Sequence, residues 1–259
     1  MNTSRVHAST SRSKPELSGM ALDRWLLNIG VTAYDRPESR YTRDPVQPYQ
    51  SDERMSQFFA MHPENPQLRL ARQAVQILGQ GGIMAYPTDA AYALGCAIDN
   101  REGLARMLRL RRLPDDHQCT LVCRDLSDLG ILAQVNNPNY RLLKKTIPGP
   151  FTFILEASRE VPKRLVQPKR KTIGLRVPDC RITQLILEEL GGPLLSTTLM
   201  MPDQSTPEFD PYEIRQLLEH EVDLVVDGGA GLLEPTTVVD LTGELPEVIR
   251  QGAGDFSAF

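Results

Sequence analysis

Apolar positions along this chain switch repeatedly between a helical and an extended period. Leu68, Ala71, Val75 and Leu78 recur at three- and four-residue spacing, and Gly79 with Gly81-Gly82 closes the helix they predict. Ile83-Met84-Ala85-Tyr86 then reads as a short buried strand stopped by Pro87. Residues 101–112 predict a basic helix carrying Leu104, Met107, Leu108 and Leu110, and Cys119 to Cys123 is the next strand. Helices follow near 126–133 and 138–145, then strands over 151–155 and 172–177. A helix over 181–190 ends at Gly191-Gly192. A strand over 194–197, a helix over 210–219 and strands over 222–226, 236–241 and 246–250 complete the pattern. Strands interspersed with helices predict an α/β fold, a sheet covered by helices. The crowding of strands at the C-terminal end predicts a mixed rather than a purely parallel sheet. Neither an internal repeat nor a second domain is visible, so residues 55–259 are expected to form one domain.

Residues 1–54 follow a different pattern. They are rich in Ser, Arg, Pro and Asp, and only Ala21 to Leu27 has an ordered look. The segment lacks the apolar centre of a signal peptide. Its serines and arginines hint at a transit peptide, but seven acidic residues oppose that. Met55-Ser56-Gln57-Phe58-Phe59 reads like a second start. The expectation is a disordered tail or a mis-assigned upstream start, with a short docking helix around Trp25 as the alternative.

Composition narrows the function classes. With 41% hydrophobic and 24% charged residues this is an ordinary globular chain. A net charge of −4 gives no overall field for nucleic acid, so any such site must be a local basic patch. No apolar run approaches membrane-spanning length. Four cysteines (Cys96, Cys119, Cys123, Cys180) lack zinc-type paired spacing and read as structural thiols in a reduced, cytoplasmic setting.

Several chemical devices are missing. There is no G-x-x-x-x-G-K-[ST] phosphate loop, and Gly79-Gln80-Gly81-Gly82 lies after a helix and before a strand, the wrong order for a dinucleotide fold. Gly228-Gly229-Ala230-Gly231 reads as a tight turn. The histidines His7, His62, His117 and His220 are scattered and make no metal or nucleophile set. What remains is cations and hydroxyls near strand ends: Arg109, Arg111 and Arg112; Lys169-Arg170-Lys171; Arg176; and Arg250. Converging arginines suit a polyanionic substrate because each binds phosphate or carboxylate through two donors. A solvated basic face is the competing reading for each cluster alone, least so for Arg176 and Arg250, which follow apolar strands.

The order of short motifs is more specific. Pro87-Thr88-Asp89-Ala90-Ala91-Tyr92-Ala93-Leu94-Gly95 is followed by Pro148-Gly149-Pro150-Phe151-Thr152 and Gly174-Leu175-Arg176-Val177-Pro178. Then come Pro193-Leu194-Leu195-Ser196-Thr197-Thr198, Asp227-Gly228-Gly229, Thr236 to Leu241, and Ile249-Arg250-Gln251-Gly252-Ala253. Over residues 67–253 this succession resembles the YrdC family, which includes enzymes that make threonylcarbamoyl-AMP for tRNA modification. The resemblance implies a twisted mixed α/β sheet with flanking helices around a concave, positive cavity. It implies ATP and L-threonine as ligands, with Mg²⁺ assisting. Threonine and bicarbonate would give a carbamate that attacks the α-phosphate and releases pyrophosphate.

By the same resemblance Thr88 and Tyr92 line the amino-acid pocket, Thr152 sits on the cavity wall, and Arg176 and Arg250 hold carboxylate or phosphates. Two departures stand out. Where the synthases carry K-x-R, this chain has Arg109-Leu110-Arg111; where they carry S-x-N, it has Thr198-Leu199-Met200. With the run Lys169 to Gly174, these point to the YciO branch. Arg109, Arg111 and Arg176 are the expected catalytic residues, and Thr88, Tyr92, Thr152, Thr198 and Arg250 the expected binding residues; no metal ligands are expected. The alternatives are a module that binds double-stranded RNA or tRNA without synthase activity, and an enzyme that removes threonylcarbamoyl from tRNA.

Overall fold

Apolar spacing and end signals fix most elements. The computed structural model describes residues 55–257. The expectations for residues 1–54, including the helix around Trp25, lie outside the described residues. Strand β1 (Gln57–Ala60) is followed by helix α1 (Leu68–Gly79), β2 (Ile83–Tyr86), β3 (Ala93–Ala97) and α2 (Arg101–Leu110). Next come β4 (Thr120–Val122), α3 (Leu126–Leu132), α4 (Asn137–Thr146) and β5 (Phe151–Glu156). A long connection, containing one 3₁₀ turn at Lys163–Leu165, leads to β6 (Thr172–Arg176) and α5 (Arg181–Leu190). The chain closes with β7 (Leu194–Thr198), α6 (Pro211–Leu218), β8 (Leu224–Asp227), β9 (Thr237–Asp240) and β10 (Glu247–Arg250).

The helix starts have local causes. Asn100, Asp125, Asn136 and Asp210 each accept a hydrogen bond from the first free backbone N–H groups of α2, α3, α4 and α6. At the far end of α5, Gly191 takes φ 72°, a left-handed turn that a side chain would strain.

All ten strands described here join one sheet in the order β1-β8-β2-β3-β7-β4-β6-β5-β9-β10. Parallel pairs (β1 with β8, β8 with β2, β4 with β6, β5 with β9) mix with antiparallel ones. The sheet is therefore mixed and helix-flanked, as its strand spacing predicts. Among the described residues no helix is long and apolar enough to cross a membrane.

Two strands escaped the sequence pattern. β1 lies in the segment read as a start site, and its alternation is too short to register. β3 carries Ala93-Leu94-Gly95-Cys96-Ala97, residues of low strand propensity, yet it is central and pairs with both β2 and β7. Gly95 has a packing reason: a Cβ there would lie 2.8 Å from the Tyr86 ring and 2.7 Å from Leu194.

Helices α1 and α5 pack against each other and onto one face of β8, β2, β3 and β7. Ala71, Ala74, Leu78, Ile182, Ile186 and Leu187 meet Met84, Tyr86, Leu194, Leu224 and Val226 there. Full burial of a side chain of that size contributes roughly 1.5–3 kcal/mol. This helical cover faces the first half of the sheet order, and the remaining half carries a different set of side chains.

Candidate functional site

Strand residues alternate faces, so positions two apart share one. On β4, β5, β6 and β7 one face carries Thr120 and Val122, Thr152 and Ile154, Thr172 with Gly174 and Arg176, and Ser196 with Thr198. Pairing sets these side by side: Ser196 opposite Thr120, Thr120 opposite Gly174, Gly174 opposite Ile154, and Val122 opposite Arg176. Most are small or hydroxylated. Side chains of that size cannot fill a packed layer, and the space above them is a cavity of about 470 Å³.

Its rim comes from connections. Arg111, His117 and Gln118 come from the α2–β4 connection, Gln167 and Arg170 from the β5–β6 connection, and Thr236 and Arg250 from the ends of β9 and β10. Four arginines (Arg111, Arg170, Arg176, Arg250) line the cavity, while no aspartate or glutamate among the described residues does.

The arginines are held in different ways. Arg176, on β6, is 7% exposed and forms an ion pair with Asp89, whose other oxygen accepts the backbone N–H of Asp179 at 2.9 Å. The Nε of Arg176 is buried without a hydrogen-bond partner. A buried donor left unpaired costs about 1–3 kcal/mol. Arg111 donates from Nε to the Met200 carbonyl (2.9 Å) and from Nη1 to Thr197 (2.7 Å). Arg250 donates to the Thr236 carbonyl at 2.9 Å. Both make only neutral hydrogen bonds. Burial lowers the pKa of each, and the Arg250 charge pushes Arg111 the same way. Two cations therefore face a shared space with no counter-charge. Arg170 differs, since it reaches Asp240 at 2.6 Å and Thr242 at 3.1 Å. Burial disfavours the Asp240 carboxylate, but bonds from Thr242 and Arg170 outweigh this and hold its pKa below the ordinary range. That pair ties the β5–β6 connection to β9.

Of the residues expected from sequence, Arg111, Arg176, Thr152, Thr198 and Arg250 line this cavity. Three do not. Arg109 is exposed on the last turn of α2, whereas Arg111 lies just past the helix end, where the chain turns to the cavity. Thr88 spends its hydroxyl on a local turn, donating to the Ala91 carbonyl (2.7 Å) and accepting from the Ala90 N–H (3.0 Å). Tyr92 is fully buried, donates to the Gly229 carbonyl at 2.8 Å and accepts from the Gly228 N–H at 3.2 Å. Its hydroxyl pins the glycine turn after β8, and burial raises its pKa strongly.

Sequence reading missed Thr120, Thr172, Ser196, His117 and the Asp89–Arg176 pair. The hydroxyls gave little local signal, since β4, β5 and β6 each carry one and only strand pairing sets them side by side. Thr152 and Thr236 share a hydroxyl–hydroxyl hydrogen bond of 2.9 Å, and Tyr86 and Ser196 one of 2.7 Å, which fixes the cavity floor. Among the described residues no group of three or more His, Cys, Asp or Glu side chains is placed to hold a metal ion.

A model of the Sua5, YciO and YrdC proteins, described as telomere recombination, matches residues 76–252. The chain belongs to this family. Uncharacterized protein YciO of Escherichia coli K12 is 53% identical over 205 residues, spanning 79% of this chain and all of the relative. Its crystal structure superposes with a TM-score of 0.76 over the same shares. Threonylcarbamoyl-AMP synthase of Halorhodospira halophila is 33% identical over 171 residues, 65% of this chain and 88% of that protein. The structure of P. abyssi Sua5 complexed with L-threonine shares the fold at 23% identity and a TM-score of 0.68, over 75% of this chain and 57% of that one.

Proposed function

We propose that this YciO-like protein joins L-threonine, bicarbonate and ATP into threonylcarbamoyl-AMP with release of pyrophosphate, a reaction linked to threonylcarbamoyladenosine modification of tRNA. One observation carries this reading: a hydroxyl-lined cavity in which Arg111 and Arg250 lack counter-ions, Arg176 keeps a buried free donor, and no carboxylate lines the wall. Such a wall selects an anionic ligand, and the spread of its four arginines over two connections and two strands suits a triphosphate beside a carboxylate. The threonylcarbamoyl-AMP synthases among its relatives and the threonine complex of Sua5 support the same choice.

In this reading catalysis is positioning and charge neutralisation. Arg111 and Arg250 hold the phosphates, and Arg176 takes the threonine carboxylate through its free Nε. The hydroxyls of Thr120, Thr152 and Ser196 orient the remaining polar atoms. Mg²⁺ arrives as the ATP complex, carried by the phosphates. The test supplies the full chain with L-threonine, bicarbonate, ATP and Mg²⁺ and omits each in turn. Pyrophosphate release is expected only with the complete set. Protein that binds ATP yet releases no pyrophosphate under any condition overturns the synthase reading.

One surface favours an RNA partner as well. Residues 159–171 carry Arg159, Lys163, Arg164, Lys169, Arg170 and Lys171 against a single acid, Glu160. All six cations are exposed, and Arg170 reaches the cavity rim. A phosphate backbone laid on this connection would bring a nucleotide to the cavity mouth. Binding of tRNA is then expected to weaken with salt, and each of Lys163→Ala and Lys169→Ala to reduce the log–log slope by about 1. A slope unchanged by both variants removes this surface from consideration.

A further inference from the structure

The reaction proposed above has a proton to dispose of. An amino acid enters at neutral pH as an ammonium, whose nitrogen has no lone pair with which to attack carbon. Proton acceptors are scarce in this cavity. Its arginines stay protonated in proteins, and its threonines, serine and glutamines are not bases near neutral pH. Asp89 and Asp240 are engaged in ion pairs and lie outside the lining. Cys119, behind the wall, has its thiol pushed up to about 11 by burial. His117 is left.

We propose that His117 is the proton acceptor of this cavity, taking a proton from the ammonium group of the amino-acid substrate. This inference rests on the amino-acid reading of the site. The α2–β4 connection presents the residue: the His117 backbone N–H donates to the Pro114 carbonyl at 2.9 Å and closes a turn. The ring lies half-buried at the cavity rim, and its nitrogens make no hydrogen bond among the described residues. They are available to a ligand.

The charges around His117 keep it in the accepting form. Burial lowers its pKa from the ordinary 6.5, the Arg111 charge lowers it further, and the neighbouring Asp116 opposes both. Arg170, Arg176 and Arg250 are the other charged groups of the wall, from the β5–β6 connection, β6 and β10. The same cations disfavour a bound ammonium, so they promote its loss of a proton. The N–H bond breaks, the proton moves to an imidazole nitrogen and the electron pair stays on the amine. That pair forms the C–N bond to bicarbonate. One C–O bond breaks, and the departing hydroxide takes the second amine proton and leaves as water. The imidazolium then returns its proton to solvent at the mouth.

Two measurements on the full chain test this. The first is the pH profile of pyrophosphate release in wild type and His117→Gln. Only neutral imidazole accepts a proton, so wild-type kcat should rise with pH through a value below 6.5. In His117→Gln that acid limb should vanish and kcat fall about a hundredfold or more, with the ATP KM within about twofold. A variant that keeps both the limb and the rate overturns the inference. The second is the NMR titration of the His117 ring with and without L-threonine, assigned by its loss in His117→Gln. An ammonium bound beside the ring should lower the His117 pKa further. If wild type releases no pyrophosphate, the proposed function falls and this titration alone decides. A ligand-induced lowering supports His117 as the group facing an amine, and an unchanged titration overturns it.

Discussion

Arg176→Ala is expected to abolish pyrophosphate release and to lower the unfolding free energy by about 3–5 kcal/mol. Both effects follow from the same pair. Arg176 and Asp89 are each 9% exposed at the side chain, so neither charge has water to fall back on. Removing the guanidinium leaves a buried carboxylate with the Asp179 N–H as its remaining partner. Asp89 also ties the β2–β3 connection to the start of α5, so its loss of register would reach the cavity floor. Urea unfolding and the pyrophosphate assay separate the two consequences. A double variant, Arg176→Met with Asp89→Leu, removes both charges and should recover much of the stability while remaining inactive. Full turnover in Arg176→Ala would remove the residue from the mechanism. A wild-type urea midpoint would show that the pair does not stabilise the fold.

Arg111→Ala and Arg250→Ala should each weaken ATP binding by about 1.5–3 kcal/mol, roughly 10–150-fold. Each side chain is oriented by neutral acceptors, Thr197 and the Met200 carbonyl for Arg111 and the Thr236 carbonyl for Arg250. Their charges are therefore uncompensated until an anion arrives. Stability should change little, because removing either one relieves a repulsion and leaves no orphaned carboxylate. Arg111→Lys keeps the charge but cannot reach Thr197 and Met200 together, so an intermediate loss is expected. Calorimetric titration with ATP checks all three. Affinities within about twofold of wild type would place the phosphates elsewhere.

The fold was largely legible because its elements carry strong local signals. α5 was read with its observed limits, since Ile182, Ile186, Leu187 and Leu190 fall on one helical face and Gly191 ends it. β2 was bounded by Pro87. β3 was not legible, because Ala and Gly in a strand have no pattern of their own; its place is decided by Tyr86 and Leu194 packing over Gly95. The site was legible in part. Arg176 and Arg250 stood out as charges after apolar strands, and both reach the cavity. Tyr92 and Thr88 stood out as well, but their hydroxyls serve a glycine turn and a loop.

By itself the sequence determined the alternation of helix and strand, the helix ends and the identity of the cations, because each depends on residues a few positions apart. Tertiary structure alone decided which of those cations share a space. Asp89 meets Arg176 across 87 positions, and Arg111 meets Thr197 across 86. The cavity itself exists because strand pairing lines up small and hydroxylated residues from separate strands on the part of a sheet face that α1 and α5 leave uncovered. Pairing of that kind is a property of the folded sheet, and local spacing carries no record of it.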